Sequence, residues 1–251
     1  MKVIEQVLER GEIAVLVTRV TGSQNVGAKL LVQENGSVTG SLGDADLDAV
    51  VVDQAKGFFA AREETRLVNI NSFDTSLLFE RLRPAPRLVV CGAGHVGASL
   101  AKLAAFAGYQ TTLLDDRAEF LKRDRFPEKQ IELRVAADWT SAVRDAIGNG
   151  RGVCVAVVTR GHNEDEQCMQ AVVHANPDYV GLIGSKRRTS IVIERLREAG
   201  VPAEQLKKIR APIGLDIGAV TPEEVALSIL SEIVAERRGA LGGSLSSWRR
   251  E

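Results

Sequence analysis

The sequence predicts an α/β protein in which a domain built on a parallel sheet follows a smaller α+β domain. From residue 87 onward, short apolar runs alternate with segments of helical spacing, which is typical of a parallel sheet covered on both faces. The first run, residues 87–91, leads into the turn Gly-Ala-Gly-His-Val-Gly at residues 92–97, and helical spacing follows. A strand, a glycine turn of this spacing and a helix together indicate a Rossmann-like domain.

The segment Arg83-Pro84-Ala85-Pro86 marks the predicted domain boundary, because its two prolines stiffen the chain just before the first run of the second domain. We assign residues 1–83 to the N-terminal domain and residues 84–238 to the Rossmann-like domain. Residues 239–251 are rich in Gly and Ser and are predicted to form a flexible tail.

The N-terminal domain is predicted to begin with a short amphipathic helix, since Val3, Ile4, Val7 and Leu8 fall at helical spacing. Apolar or alternating runs between glycine-rich turns then predict strands at residues 13–20, 28–33 and 37–42. A return to helical spacing predicts a helix over residues 47–61.

The second domain is predicted to alternate strands and helices. Its apolar runs predict strands at residues 87–91, 110–115, 153–158 and 179–183. Helical spacing predicts helices at residues 94–107, 138–147, 164–175 and 186–199. A last helix should begin at Thr221, because Thr-Pro-Glu-Glu offers an N-cap, a proline at the first helical position and a capping-box glutamate.

Composition indicates a globular protein, with 45% hydrophobic residues and a net charge of -1. No apolar run approaches the roughly 18 to 20 residues of a membrane span, and the N-terminus is charged where a signal peptide is apolar, so we expect a cytoplasmic protein. Residues 1–80 carry 7 basic and 12 acidic side chains, whereas residues 81–251 carry 25 and 21. The second segment is the better host for an anionic ligand, but its small surplus does not require nucleic acid.

The three cysteines, Cys91, Cys154 and Cys168, are odd in number and lack paired spacing, which argues against a disulfide framework or a structural zinc site. Cys91 and Cys154 lie inside apolar runs, so buried packing is expected for both, whereas the sequence leaves Cys168 undecided. We assign no metal ligands.

The glycine turn predicts a site for a dinucleotide or a diphosphate-bearing pterin. Gly92 allows the tight turn, Gly94 lets backbone approach a diphosphate, and Gly97 lets the helix pack on the strand. The N-terminus of that helix, with His95 and Val96, adds free N–H groups and positive potential. The alternative is a fold that binds nothing at this turn.

An acid stands at the end of the next predicted strand. Asp115 lies 18 residues after Gly97, near the position of the carboxylate that accepts ribose hydroxyls in dinucleotide sites. Asp116 and Arg117 follow, and an arginine here can also bind a 2′-phosphate, so either NAD or NADP is compatible. A solvated turn is the other interpretation.

The loop after the 153–158 strand is dense in polar groups, and in a doubly wound sheet such loops line the ligand crevice. Arg160 can pair with an anion, His162 can relay a proton or bind a metal, and Asp165 can act as a base or as a charge at a helix N-terminus. Thr159 and Gly161 complete this set. We expect His162 and His95 to line one pocket, but two histidines do not define a metal site, and we assign no catalytic residue.

A second candidate for anion binding follows the 179–183 strand, where Gly184, Ser185, Lys186 and Arg187 open a helix. Cations at a helix N-terminus oppose the helix dipole, so their presence calls for another reason than helix stability. A solvated basic turn is the alternative.

Residues 211–219 form an apolar, glycine-spaced segment that is too short for a helix. Pro212, Gly214 and Asp216 suggest backbone wrapped closely around a ligand or another copy of the chain. Because this segment also offers an ordered apolar surface, we expect a homodimer.

Five motifs, in this order, resemble the C-terminal domain of the xanthine dehydrogenase accessory family, XdhC/CoxI. They are GAGHVG, LDDR, TRGHNED, GLIGSKRR and APIGLDIGAVTPEEVALSILSEI. The N-terminal segment is similar to that family through residues 21–23, 27–32 and 36–41.

The resemblance implies a maturation factor that binds the molybdenum cofactor (molybdopterin), presents it for sulfuration by a cysteine desulfurase and passes it to a molybdenum hydroxylase apoenzyme. Such a protein need not turn over a substrate. Members often carry a cysteine where this chain has Asp44, Asp46 and Asp48, so the role of that thiol is not carried over. The alternatives are an NAD(P)-dependent oxidoreductase and a nucleotide-sensing regulatory protein.

Overall fold

The computed structural model describes residues 2–60 and 63–246. Its contacts divide the chain into two compact units, residues 1–85 and residues 86–251. The division lies inside the Arg83-Pro84-Ala85-Pro86 segment at which the sequence places the boundary. The predicted tail is described only as far as Ser246, and residues 247–251 lie outside the described residues.

The first unit is an antiparallel sheet of five strands with the order β3-β2-β1-β5-β4. Its elements are α1 Lys2–Glu9, β1 Ala14–Arg19, β2 Lys29–Gln33, β3 Val38–Ser41, α2 Ala45–Ala60, β4 Thr65–Ile70 and β5 Thr75–Leu82. The sequence predicted the two helices and the first three strands but not β4 and β5.

Helix α2 closes the core of this unit. Leu47, Val51, Ala55 and Phe58 recur at intervals of four, four and three, so they form one face of the helix, and all four are buried against the sheet. The Phe58 ring meets the edge of the Phe79 ring from β5 at a centroid distance of 5.9 Å. Burying each large apolar side chain stabilises the unit by about 1.5–3 kcal/mol.

The second unit is a parallel sheet of six strands with helices on both faces. Its strands are β6 Arg87–Cys91, β7 Gln110–Asp115, β8 Ile131–Val135, β9 Val153–Val157, β10 Tyr179–Leu182 and β11 Ile209–Arg210. Its helices are α3 His95–Phe106, α4 Trp139–Ile147, α5 His162–Ala175, α6 Lys186–Glu198, α7 Ala203–Leu206 and α8 Pro222–Arg238.

The strand order is β11-β10-β9-β6-β7-β8, and each neighbouring pair is parallel. The chain therefore builds outward from β6 in one direction and returns to its other side at β9, which is the order of a Rossmann fold. The predicted fold class, a Rossmann-like domain behind a smaller α+β domain, is confirmed. The sequence did not predict β8 and β11.

Alternate residues of β6 face opposite cores. Leu88 and Val90 pack with α3 and α8, whereas Val89 and Cys91 pack with α4, α5 and α6. Cys91, Cys154 and Cys168 are all buried, as predicted for the first two. Among the described residues, no helix is both long enough and apolar enough to cross a membrane.

Candidate functional site

The candidate site lies at the carboxyl ends of β6 and β9, where the strand order reverses. The two strands pair side by side, and the helices that follow them leave toward opposite faces, so a crevice opens between their loops. Gly92 follows β6 directly and packs on the end of β9, since a Cβ at Gly92 would lie 2.6 Å from the Val158 carbonyl oxygen. The glycine turn and the 159–165 loop thus meet at this edge.

The three glycines of the turn have different neighbours. Gly92 has a φ of +113°, and a Cβ at Gly97 would lie 1.8 Å from the Gly92 carbonyl oxygen, so the fold itself requires both glycines. Gly94 is extended, with φ -64° and ψ -171°, and no described atom lies within 4 Å of the position that its Cβ would take. Gly94 therefore borders open space.

The first turn of α3 is uncapped. Gly94 is its N-cap residue, no described side chain caps it, and the turn contains no acidic residue. By contrast, side chains cap α4, α6 and α8, namely those of Asp138, Ser185 and Thr221. The amides at the start of α3, which include those of His95 and Val96, lack helical partners and can donate to an anion. The His95 side chain is exposed.

Asp115 is buried and turned toward the glycine turn. Its Oδ2 accepts from the Ala93 amide at 2.7 Å and from Arg117 Nη2 at 3.0 Å. Its Oδ1 accepts from the Arg117 amide at 3.0 Å and from Arg117 Nε at 2.8 Å. Burial alone would raise the pKa of Asp115, but the hydrogen bonds from Arg117 and Ala93 outweigh it and hold the pKa below its ordinary value.

Asp115→Asn should therefore cost more stability at neutral than at acid pH. The unfolded pKa is about 3.9, and the folded pKa is lower, so the stabilisation is complete above the unfolded pKa and disappears as pH falls through the folded one. We expect a loss of about 1.5–3 kcal/mol at pH 7. Urea unfolding of both proteins at pH 7 and pH 3 measures it, and an equal loss at the two pH values would contradict it.

Arg160 bridges the two loops that flank the glycine turn. Its Nη2 donates to Asp116 Oδ2 at 2.9 Å, and its Nε lies 3.4 Å from Glu164 Oε1. Asp116 follows β7 and Arg160 follows β9, and these strands lie on either side of β6. The Arg160 side chain is 48% exposed, so its guanidinium is accessible at the switch point.

Asp165 is fully buried and joins the start of α5 to the start of α6. It accepts from the Thr159 hydroxyl at 2.5 Å and from Arg188 Nε at 3.0 Å. Burial raises the pKa of Asp165, and the hydrogen bonds from Thr159 and Arg188 and the nearby His162 only partly offset it. The structure therefore places Thr159 and Asp165 beneath the loop, whereas His162 is exposed at the start of α5 behind Gly161.

The start of α6 lies at the same edge of the sheet, because β10 pairs with β9. Ser185 caps this helix by accepting from the Arg188 amide at 3.2 Å, and Gly184 has a φ of +145°. Lys186 and Arg187 are exposed, and neither forms an ion pair with a carboxylate in the described part of the chain.

The segment with Pro212, Gly214 and Asp216 wraps around its own α8. The Gly214 amide donates to Glu232 Oε2 at 2.9 Å, and the Leu215 amide donates to the Ser228 carbonyl at 3.3 Å. The close backbone approach that the sequence indicates is thus made within the unit, and the Pro212 and Asp216 side chains are exposed.

Two of the three aspartates near residue 46 stabilise the start of α2. Asp44 Oδ1 accepts from the amides of Asp46 and Leu47, and Asp48 Oδ1 accepts from the Leu42 amide at 2.8 Å. Across residues 2–60 and 63–246, no group of three or more His, Cys, Asp or Glu side chains is arranged to hold a metal ion.

Sequence reasoning missed two contributors to the site. Arg188, which pairs with Asp165, was not among the predicted site residues, although it shares the helix face of Val192 and Leu196 through its spacing of four and eight. Phe120, on which Arg117 stacks at 3.8 Å, carried no sequence signal.

Family models match both units. The model described as the XdhC Rossmann domain matches residues 88–233, and the XdhC and CoxI family model matches residues 7–71. The chain belongs to the XdhC and CoxI family. The resemblance drawn from the sequence motifs is thereby confirmed.

Three curated relatives are similar to this family member. It is 29% identical to the uncharacterized protein YqeB of Escherichia coli (strain K12) over 86% of its length, and 29% identical to a probable xanthine dehydrogenase subunit of Bacillus subtilis (strain 168) over 65%. It is 28% identical to the molybdenum cofactor insertion chaperone PaoD of Escherichia coli (strain K12) over 73%. The matches cover 41%, 47% and 49% of these relatives, so the chain spans less than half of their length.

A solved structure supports the fold. The crystal structure of a xanthine dehydrogenase from Bacillus halodurans superposes with a TM-score of 0.55, covering 98% of each chain at 18% identity. At this identity the likeness extends to the fold alone.

Proposed function

We propose that this chain is an accessory protein that binds the molybdenum cofactor and assists its sulfuration and its insertion into a xanthine dehydrogenase-type molybdenum hydroxylase. The observation that carries the proposal is the similarity to the molybdenum cofactor insertion chaperone PaoD over 73% of this chain. In this role the chain holds and transfers a cofactor and does not turn over a substrate.

The glycine turn fits the anionic part of such a cofactor. Gly94 borders open space where a phosphate can meet backbone, and the uncapped first turn of α3 offers amide donors. Arg160 lies at the same switch point, and the exposed Lys186 and Arg187 stand at the same edge of the sheet. We assign the phosphate or diphosphate of the cofactor to these groups; the cofactor supplies the molybdenum centre that its client enzyme uses.

Sulfuration in this scheme acts on the cofactor while this chain holds it. All three cysteines are buried, and burial raises the pKa of Cys154 to about 12 and the pKa of Cys168 well above its ordinary value. Neither thiol is suited to accept sulfur at neutral pH. The sulfur donor is then a partner, a cysteine desulfurase, and the acceptor of the finished cofactor is the hydroxylase apoenzyme. A homodimer remains a prediction.

The proposal is tested by purifying the chain from cells that make the cofactor. We expect molybdenum and the fluorescent oxidised pterin to co-purify in equal amounts, and the loaded chain to activate a molybdenum hydroxylase apoenzyme. A chain that carries a nicotinamide spectrum instead, with no pterin, would favour the oxidoreductase alternative and contradict the proposal.

Arg160→Ala should weaken cofactor binding by about ten- to a hundredfold, because one charge-assisted contact to phosphate is lost and Asp116 and Glu164 lose their cation. Isothermal titration with the isolated cofactor measures the effect. Arg197→Ala is the matched control, since Arg197 is an exposed arginine paired with Glu194 near the far end of α6. Unchanged affinity in folded Arg160→Ala would remove Arg160 from the site.

A further inference from the structure

The carboxylate of Asp115 has no acceptor capacity left. An ionised carboxylate offers about four lone-pair sites on its two oxygens, and Asp115 receives four donors, one from Ala93 and three from Arg117. The side chain is 2% exposed. A ribose diol, which would need to donate to this carboxylate, finds neither a lone pair nor access.

We propose that Arg117 is a specificity-determining residue that closes Asp115 to a ribose and restricts the glycine turn to ligands held by their phosphates. The inference rests on the proposed function, because it concerns the same site. It sets the site apart from a dinucleotide site in which the acid after the second strand reads the ribose hydroxyls.

Arg117 is fixed in this position from two sides. Its guanidinium makes a two-point contact with Asp115 through Nε and Nη2, and its centre lies 3.8 Å from the centroid of the Phe120 ring. The ion pair and the stacking hold the same rotamer, so a ligand would have to break both to reach Asp115. The same contacts occupy the guanidinium, which leaves Arg117 unable to receive a 2′-phosphate.

Asp116 does not replace Asp115 as a ribose acceptor. Its Oδ2 is bonded to Arg160, and its Oδ1 lies 3.7 Å from Arg117 Nε. A ribose bound there would compete with the Arg160 ion pair, whereas a phosphate would attract Arg160. Both aspartates therefore favour a ligand that presents phosphate and not a sugar diol.

The test compares pyrophosphate and NAD⁺ as probes of the full chain by isothermal titration. We expect the wild type to bind pyrophosphate and to bind NAD⁺ at least tenfold more weakly. Arg117→Ala uncovers two charged acceptor oxygens, so NAD⁺ affinity should rise at least tenfold relative to pyrophosphate affinity. The gain should vanish when Asp115→Asn is added in the Arg117→Ala background.

Arg125→Ala is the matched control, because Arg125 lies 5.4 Å from the centroid of the same Phe120 ring and its guanidinium donates to the Phe120 carbonyl instead of Asp115. It should leave the ratio of the two affinities unchanged. Arg117→Lys keeps the charge but cannot cover both oxygens, so it should give a smaller gain in the same direction and serves if Arg117→Ala does not fold.

Two results would overturn the inference while leaving the phosphate site intact. One is a wild type that binds NAD⁺ as tightly as pyrophosphate, and the other is a folded Arg117→Ala or Arg117→Lys without any gain in NAD⁺ binding. If the wild type binds no pyrophosphate at millimolar concentration, the glycine turn holds no phosphate, and the site assigned under the proposed function fails together with the inference.

Discussion

Gly94→Val is expected to lower the affinity for the cofactor more than a hundredfold while the second unit stays folded. The extended backbone of Gly94 is open to any residue, and its Cβ would meet no described atom within 4 Å. The valine side chain would instead fill the space in which backbone amides meet the phosphate. The loss of stability should stay within about 1 kcal/mol, because nothing in the folded chain is displaced.

Melting temperature and cofactor retention should therefore separate in Gly94→Val. Gly97→Val is the control, because its Cβ would lie 1.8 Å from the Gly92 carbonyl oxygen, and it should lose both the fold and the cofactor. Thermal unfolding, together with titration of the isolated cofactor, measures the two effects. If Gly94→Val binds the cofactor with wild-type affinity, the glycine turn is not the binding site.

Elements with a full hydrophobic period could be predicted, and edge elements could not. Strand β6 is an unbroken apolar run because both of its faces are buried, and α3 repeats its apolar residues along one face. The first residues of β4 are exposed, since this strand lies at the edge of its sheet, and β11 has only two residues. Such strands carry little apolar signal, and their place follows from pairing with distant segments.

The site was predictable in its location but not in the direction of its side chains. Parallel strands deliver the residues after β6, β7, β9 and β10 to one edge, so the order of elements alone collects the glycine turn and the polar loops. Whether Asp115 and Asp165 face a ligand depends on which donors reach them first. Arg117 and Arg188 take both carboxylates, and that competition is decided by burial, which a motif does not record.

The second large effect is expected for Arg188→Ala, which should destabilise the second unit by about 3–5 kcal/mol because it leaves Asp165 as a buried carboxylate without its cation. Arg195→Ala is the matched control on the same helix. It breaks the 2.7 Å pair between Arg195 and Glu166, which also joins α5 to α6 but is exposed, so its cost should be about 0–1 kcal/mol.

The cost of Arg188→Ala should also depend on pH and on the charge of Asp165. Without the guanidinium, burial raises the folded pKa of Asp165 further above its unfolded value, so stability falls as pH rises through the unfolded pKa and the loss is larger at pH 7 than at pH 4. Asp165→Asn added to Arg188→Ala removes the buried charge and should restore part of the stability. A urea-unfolding cycle of the four proteins at both pH values measures this coupling. If the two substitutions destabilise additively at pH 7, the Asp165 and Arg188 pair does not lock the crevice loop to α6.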